Sequence, residues 1–250
     1  MLPGLHRRHI GGILPSGGHT LVAGPVKEQE EGFRKAEDNA QHQIQHTVAG
    51  IHGHEDIIQG HIADDGKSIW VKCQPLDWAQ KKSCTPSYME NTYTIADGHI
   101  AVENRFIDFS GYTHRDAHQE LPAFYTISYL SDFVFYNGSK PWQGDALTTK
   151  KDLKFWAGNS DAYFNVKSKE NWCAWVAPNG YGVGVYTPIA EILLAGRFEY
   201  NGSKDAHNNA TNYVAPLITY KLKAFEAFEY SYYITTGSVE EIRTEFTKVK

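Results

Sequence analysis

From Asp64 onward the chain is a series of short apolar or alternating segments separated by turn signals. Asp64-Asp65-Gly66-Lys67 reads as a turn, and residues 68–73 follow it as a strand. Residues 99–109 read as another strand, entered through Asp97-Gly98. Residues 124–136 are apolar on both faces, the pattern of a central strand, and they end at Asn137-Gly138. Asn-Gly favours a two-residue hairpin turn, because both central positions take positive φ. Further strands are expected at 163–167, 172–177, 181–186, 195–200 and 225–235, with Asn179-Gly180 and Asn201-Gly202 as turns. In the last of these strands Phe228, Tyr230, Tyr232 and Ile234 share one face by the period of two. Ser238-Val239-Glu240-Glu241 is a capping box, and Val239, Ile242 and Phe246 form a helical stripe. The pattern therefore predicts an all-β antiparallel β-sandwich with a short C-terminal helix lying on a sheet.

Before residue 62 this pattern lapses. That stretch has no Trp, no Tyr and a single Phe, Phe33, yet it holds eight of the twelve histidines. It has little apolar surface to bury, so residues 1–62 read as a polar, His-rich lead-in and residues 63–250 as the sandwich domain. His42, His46, His52, His54 and His61 cluster there, but no cysteine ligands and no HExxH accompany them, so no metal site is assigned.

Charge and composition narrow the function. The net charge is −5 and Lys and Arg are scattered, so no nucleic-acid partner is expected. No apolar run reaches the roughly 18 residues of a membrane span, so no membrane partner is expected either. There is no GxGxxG and no P-loop, and no cofactor is expected. The N-terminal residues show no continuous apolar h-region, although an extracellular or periplasmic location would suit a glycan-handling domain. Three cysteines, Cys73, Cys84 and Cys173, form no CxxC and read as apolar core residues. Aromatic residues make up 13% of the chain, a composition that suits both strands and surfaces that stack on sugar rings.

The densest titratable segment is residues 112–122. As extended chain it places His114, Asp116, His118 and Glu120 on one side and Arg115 on the other. His118 is then a candidate general base and Glu120 its partner acid, with His114 and Tyr125 as auxiliaries and Arg115 as an anion stabiliser. Asp116 is a candidate substrate contact; a solvated polar loop explains the same cluster. Trp142, after the Asn137-Gly138 turn, is placed for stacking on a sugar. Trp172 and Trp175 are three apart and face opposite sides of a strand, so one belongs to the core and Trp175 is the candidate for a groove.

Three segments carry a family likeness. They are residues 118–125 (His-Gln-Glu-Leu-Pro-Ala-Phe-Tyr), 136–142 (Tyr-Asn-Gly-Ser-Lys-Pro-Trp) and 175–186. Together they resemble uncharacterised bacterial β-sandwich proteins of the galactose-mutarotase-like, or supersandwich, type. The resemblance spans roughly residues 64–246. It implies a carbohydrate ligand, with His, Arg, Tyr and a carboxylate working in a sheet-lined cleft, and an enzyme of the glycoside hydrolase or polysaccharide lyase kind. A non-catalytic carbohydrate-binding module is the alternative. Deleting residues 1–40 is expected to leave the melting temperature of the remainder within a few degrees of the full chain, measured by thermal unfolding.

Overall fold

The computed structural model describes residues 59–75, 84–151, 153, 155–156, 164–198 and 211–250. Alternating segments joined by turns form antiparallel pairs, and most of the described residues do so. The strands are β1 (Gln59–Ile62), β2 (Ser68–Cys73), β3 (Ser87–Ile95), β4 (Ile100–Asp108), β5 (Ala117–Glu120), β6 (Phe124–Ile127), β7 (Asp132–Phe135) and β8 (Thr148–Lys150). They continue as β9 (Phe155–Trp156), β10 (Phe164–Lys167), β11 (Trp172–Val176), β12 (Tyr181–Tyr186), β13 (Ile192–Phe198), β14 (Thr211–Tyr220) and β15 (Ala227–Ser238). Helix α1 (Val239–Val249) follows directly.

Nine strands form one sheet in the order β1-β2-β3-β4-β15-β12-β11-β7-β8. A six-stranded sheet runs β10-β13-β14-β5, with β6 also on β14 and β9 on β13. Among the described residues only the β9–β13 pair is parallel. The two sheets pack face to face. Val102, Phe133, Phe135, Cys173, Trp175, Val183, Val185, Tyr232 and Ile234 from the first meet Leu193, Ala195 and Val214 from the second. The protein is thus an antiparallel β-sandwich with a short C-terminal helix, as the periodicity predicts.

Helix α1 covers the other face of the large sheet. Ser238 caps it by accepting from the Glu241 amide, and the Glu241 carboxylate returns to the Ser238 amide. Ile242 and Phe246 then press onto Val134, Trp172, Ala174, Val176 and Tyr186. Gly184 makes the seat, because a methyl group there would collide with Ile242 and with the Phe246 ring. One buried ion pair locks this layer. Glu170 is 2% exposed. It takes two bonds from Arg243 of the helix, at 2.5 and 3.1 Å. It also accepts from the Trp172 indole at 2.7 Å and from the Trp142 amide at 2.6 Å. Four donors on one buried carboxylate satisfy its lone pairs, which is the condition for keeping a charge inside a protein. His99, just ahead of β4, holds the helix a second time through Glu245, which also pairs with Lys248 one turn on along the helix.

Several expectations are corrected by this arrangement. Residues 124–136 are two strands in different sheets, not one. The break is built by buried polar side chains: Asn212 donates to the carbonyls of Ile127 and Leu130, and Arg197 donates to that of Ser128. Asn137 and Gly138 do not form a tight hairpin turn, since neither has positive φ. Instead the Tyr136 hydroxyl accepts from the Lys140 amide and donates to Asp145, opening a wide loop to β8. Asn179-Gly180 does close the β11–β12 hairpin, with Gly180 at φ +81°. Asn201-Gly202 lies outside the described residues. Cys173 is buried, while Cys73 and Cys84 are only half-buried, and none is in a disulfide. Among the described residues the first strand pair is Gln59 with Lys72.

Glu170→Ala is expected to destabilise the protein by about 3–5 kcal/mol, the usual cost of stripping one partner from a buried ion pair. Denaturant titration measures it. A loss below about 1 kcal/mol would mean that Arg243 and the helix are held without this carboxylate.

Candidate acid–base site beside the edge strand

Strand β5 is the outer strand of the small sheet, and β6 continues its line along the same edge of β14. The chain reaches β5 from the end of β4, so residues 109–116 cross from one sheet to the other. At this crossing a cleft of about 40 Å³ opens, lined by Met89, Phe106, Gln119, Glu120, Leu121, Leu222, Phe228 and Tyr230. Met89, Phe106 and Phe228 are direct cross-strand neighbours, so one wall is the large sheet itself. The other wall is the end of β5.

Glu120 is the unusual group in that cleft. Its Oε1 accepts from the Tyr213 hydroxyl at 2.5 Å. Its Oε2 is buried and has no protein partner among the described residues. Burial pushes the carboxyl above its ordinary value near 4.5, and the Tyr213 bond opposes this only in part. Tyr230 nearby is raised too, first by burial and then by Tyr93 and Glu120, so its phenol keeps its proton. More polar groups sit behind it. Asn91 donates to Asn104, Asn104 donates to the Tyr230 carbonyl, and Tyr93 and Tyr232 share a hydrogen bond. A polar row of this kind inside a sandwich is uncommon, and a raised carboxyl beside it marks a functional candidate.

The second titratable unit is His114 with Asp108. Their Nε2–Oδ2 distance is 2.6 Å. Burial opposes ionisation of Asp108, but the amide and hydroxyl of Ser110 and the His114 ring outweigh it and hold the carboxyl below its ordinary value. An ionised Asp108 fixes the Nε2–H tautomer and leaves Nδ1 as the basic nitrogen. Asp108 lies two residues beyond Phe106 on the same side of β4, which places the pair in line with the cleft wall.

The other expected residues fall in different places. His118 and Glu120 do lie on an extended strand and on the same side of it, opposite Thr219 and Leu217. His118 is exposed and does not line the cleft. Strand geometry starts at Ala117, so His114 and Asp116 do not continue that row. Arg115 and Asp116 are exposed. Tyr125 stands opposite Tyr213 with ring centres 5.0 Å apart, one aromatic ring removed from Glu120. Trp142 is half-buried. Its ring packs edge-on against Tyr186, with the Lys250 ammonium over it, and its backbone is tied to Glu170.

Trp175 is not a groove residue: it is 0% exposed, with its ring 4.9 Å from Phe133 in the inter-sheet core. Trp172 and Trp175 do face opposite sides, but the helix buries the second side as well. Asp108 and Tyr213 were missed. Asp108 ends a strand and reads as turn chemistry, and Tyr213 is 93 residues from Glu120. Among the described residues no group of three or more His, Cys, Asp or Glu is arranged to hold a metal, and no helix is long and apolar enough to cross a membrane.

No protein-family model matches this sequence, and no curated protein matches it. Solved structures do. A galactose mutarotase related enzyme of Lactobacillus acidophilus is 12% identical with TM-score 0.44, covering 72% of this chain and 71% of its own. An Escherichia coli protein provisionally called an aldose 1-epimerase is 10% identical with TM-score 0.42, covering 73% and 69%. The α-galactosidase AgaB of Geobacillus stearothermophilus is 11% identical with TM-score 0.46, covering 77% of this chain but only 27% of its own. At such identity the likeness is one of fold, and the chemistry has to be argued from the residues of this chain.

The raised carboxyl sets a pH dependence. The unfolded chain ionises Glu120 near its ordinary value, before the folded protein does. Stability is therefore lost as pH rises from about 4.5 to the raised folded value. Glu120→Gln is expected to raise the melting temperature at pH 7, and the gain should vanish at pH 4. Equal melting curves for the two proteins at pH 7 would show that the carboxyl is not strained by burial.

Proposed function

We propose that this protein is a carbohydrate-active enzyme that moves protons on a sugar, with Glu120 as the acid and His114, oriented by Asp108, as the base. The observation that carries the reading is Glu120: a carboxyl with one oxygen held by Tyr213 and the other buried without a partner among the described residues. Burial makes such a group hold its proton to higher pH than a free carboxyl does, which suits a proton donor. Tyr125 steadies Tyr213 through ring contact, and His118 and Arg115 are available at the rim for hydroxyl or carboxylate contacts. The names of the similar structures, a mutarotase relative and α-galactosidases, agree with a sugar ligand.

Two-carboxylate hydrolysis fits less well than proton transfer on an intact sugar ring. Hydrolysis needs carboxyls about 5 Å or about 6.5–9.5 Å apart. Asp116 is exposed and lies ahead of the strand that carries Glu120, out of its row. One acid and one oriented imidazole suit the removal and return of a single proton. A non-catalytic carbohydrate-binding module is the second reading. It is favoured by the cleft volume of about 40 Å³, which takes water-sized groups and not a whole ring.

The test is an assay of the full chain for anomer interconversion by polarimetry, for unsaturated uronate by absorbance and for reducing ends on a glycan panel. Glu120→Gln and His114→Ala are each expected to lower turnover by about 10²–10⁴-fold with the fold intact. Glycan retention in gels without any product would favour the binding module. Wild-type turnover in both folded variants would remove the chemistry from this segment.

A further inference from the structure

Two large aromatic side chains stand in solvent on the segments that meet at Asp108, the partner of His114. Tyr112 is 67% exposed and Phe225 is 69% exposed. The Tyr112 ring lies edge-on to His114 with centres 5.0 Å apart. Phe225 comes from the β14–β15 connection, whose Leu222 lines the cleft. Its amide donates to the Asp108 carbonyl at 2.6 Å. Its ring packs on Gly111, where an added methyl group would lie 3.8 Å away. Phe225 also has φ +66°, a region that bulky residues rarely enter. Two separate chain segments are therefore joined through one buried aspartate, and each presents an aromatic ring outward.

We infer that Tyr112, His114 and Phe225 form a stacking subsite for a neutral pyranose ring, feeding the acid–base site proposed above; the inference rests on that reading. A pyranose has apolar C–H faces and a polar edge. Aromatic rings match the faces, and the His114 imidazole matches a hydroxyl. The charged neighbours Arg115 and Asp116 are both exposed and of opposite sign, so the rim has no net preference for an anionic sugar. The subsite also answers the size of the cleft. The ring sits outside on the aromatic pair, and only a substituent enters beside Glu120.

Saturation-transfer NMR on the full chain tests this with methyl α-D-glucopyranoside, methyl α-D-galactopyranoside and glucuronate as probes. The ring C–H protons of at least one neutral probe should receive saturation more strongly than those of glucuronate. Tyr112→Ala and Phe225→Gly should each weaken binding about 3- to 10-fold, the value of one aromatic contact. Tyr112→Phe should bind as wild type. Glycine suits the positive φ at position 225, so that variant removes the ring without a backbone penalty. Glu120→Gln should keep binding while losing turnover. If Tyr112→Ala and Phe225→Gly bind as tightly as wild type, the subsite is overturned and the proposed chemistry stands. If they lose binding while Glu120→Gln keeps full turnover, the subsite stands and the chemistry falls. Preference for glucuronate overturns the neutral assignment, and no signal from any probe overturns both.

Discussion

A large sheet has two faces to keep from water, and here a helix of eleven residues covers the second. The contact that makes this work is the Glu170 carboxylate. It grips the helix through Arg243, the sheet through the Trp172 indole, and the 136–147 loop through the Trp142 amide. The apolar contacts of Ile242 and Phe246 are not directional, so they do not choose where along the sheet the helix lies. A bidentate Arg–carboxylate pair does, because its two parallel bonds form in one geometry. With the helix placed, Trp172 becomes interior, and the sheet can present its opposite face to the six-stranded sheet.

The opposite face is treated differently at its two ends. Around Phe133, Trp175 and Val185 it is dry and close-packed. Towards β3 and β4 it carries Asn91, Asn104, Tyr93 and Tyr230, and β5 leaves a cleft beside them. All six residues of β2 are half-buried, so the small sheet does not cover this end. The protein thus keeps a polar, partly open end that works against its own stability, with a carboxyl that burial makes harder to ionise. Such costs concentrate where a fold is used and not where it is built.

The architecture was legible wherever period and turn chemistry are local. The row Phe228, Tyr230, Tyr232 and Ile234, the Ser238 capping box and the β11–β12 hairpin all depend on neighbours within a dozen residues. Strand β14 was not legible: Pro216 stands in its middle, and its role comes from being the partner of β13, β5 and β6 at once. The site was half legible. Alternation correctly put His118 and Glu120 on one side, because residues 117–120 are a strand. It said nothing of His114 turning back to Asp108, since Ser110 and a loop decide that. Trp175 was misplaced because the second sheet covers it, and that packing is not local in sequence. Trp172, on the other face, is covered by the helix, whose anchor Glu170 reveals its partner only through Arg243, 73 residues away.

The position of β15 has a consequence for how the chain is made. This strand lies between β4 and β12, in the middle of the nine-stranded sheet, yet every other strand precedes it in sequence. During synthesis the β1–β4 meander and the β12-β11-β7-β8 group therefore wait as two half-sheets, each with an unpaired edge. Those edges, at β4 and β12, are rich in apolar side chains and are templates for pairing with other chains. Joining them needs contacts between residues more than 120 apart, so closure is slow and late. Until β15 pairs with both, the sheet has two open seams, and the last strand of the chain is the one that closes them.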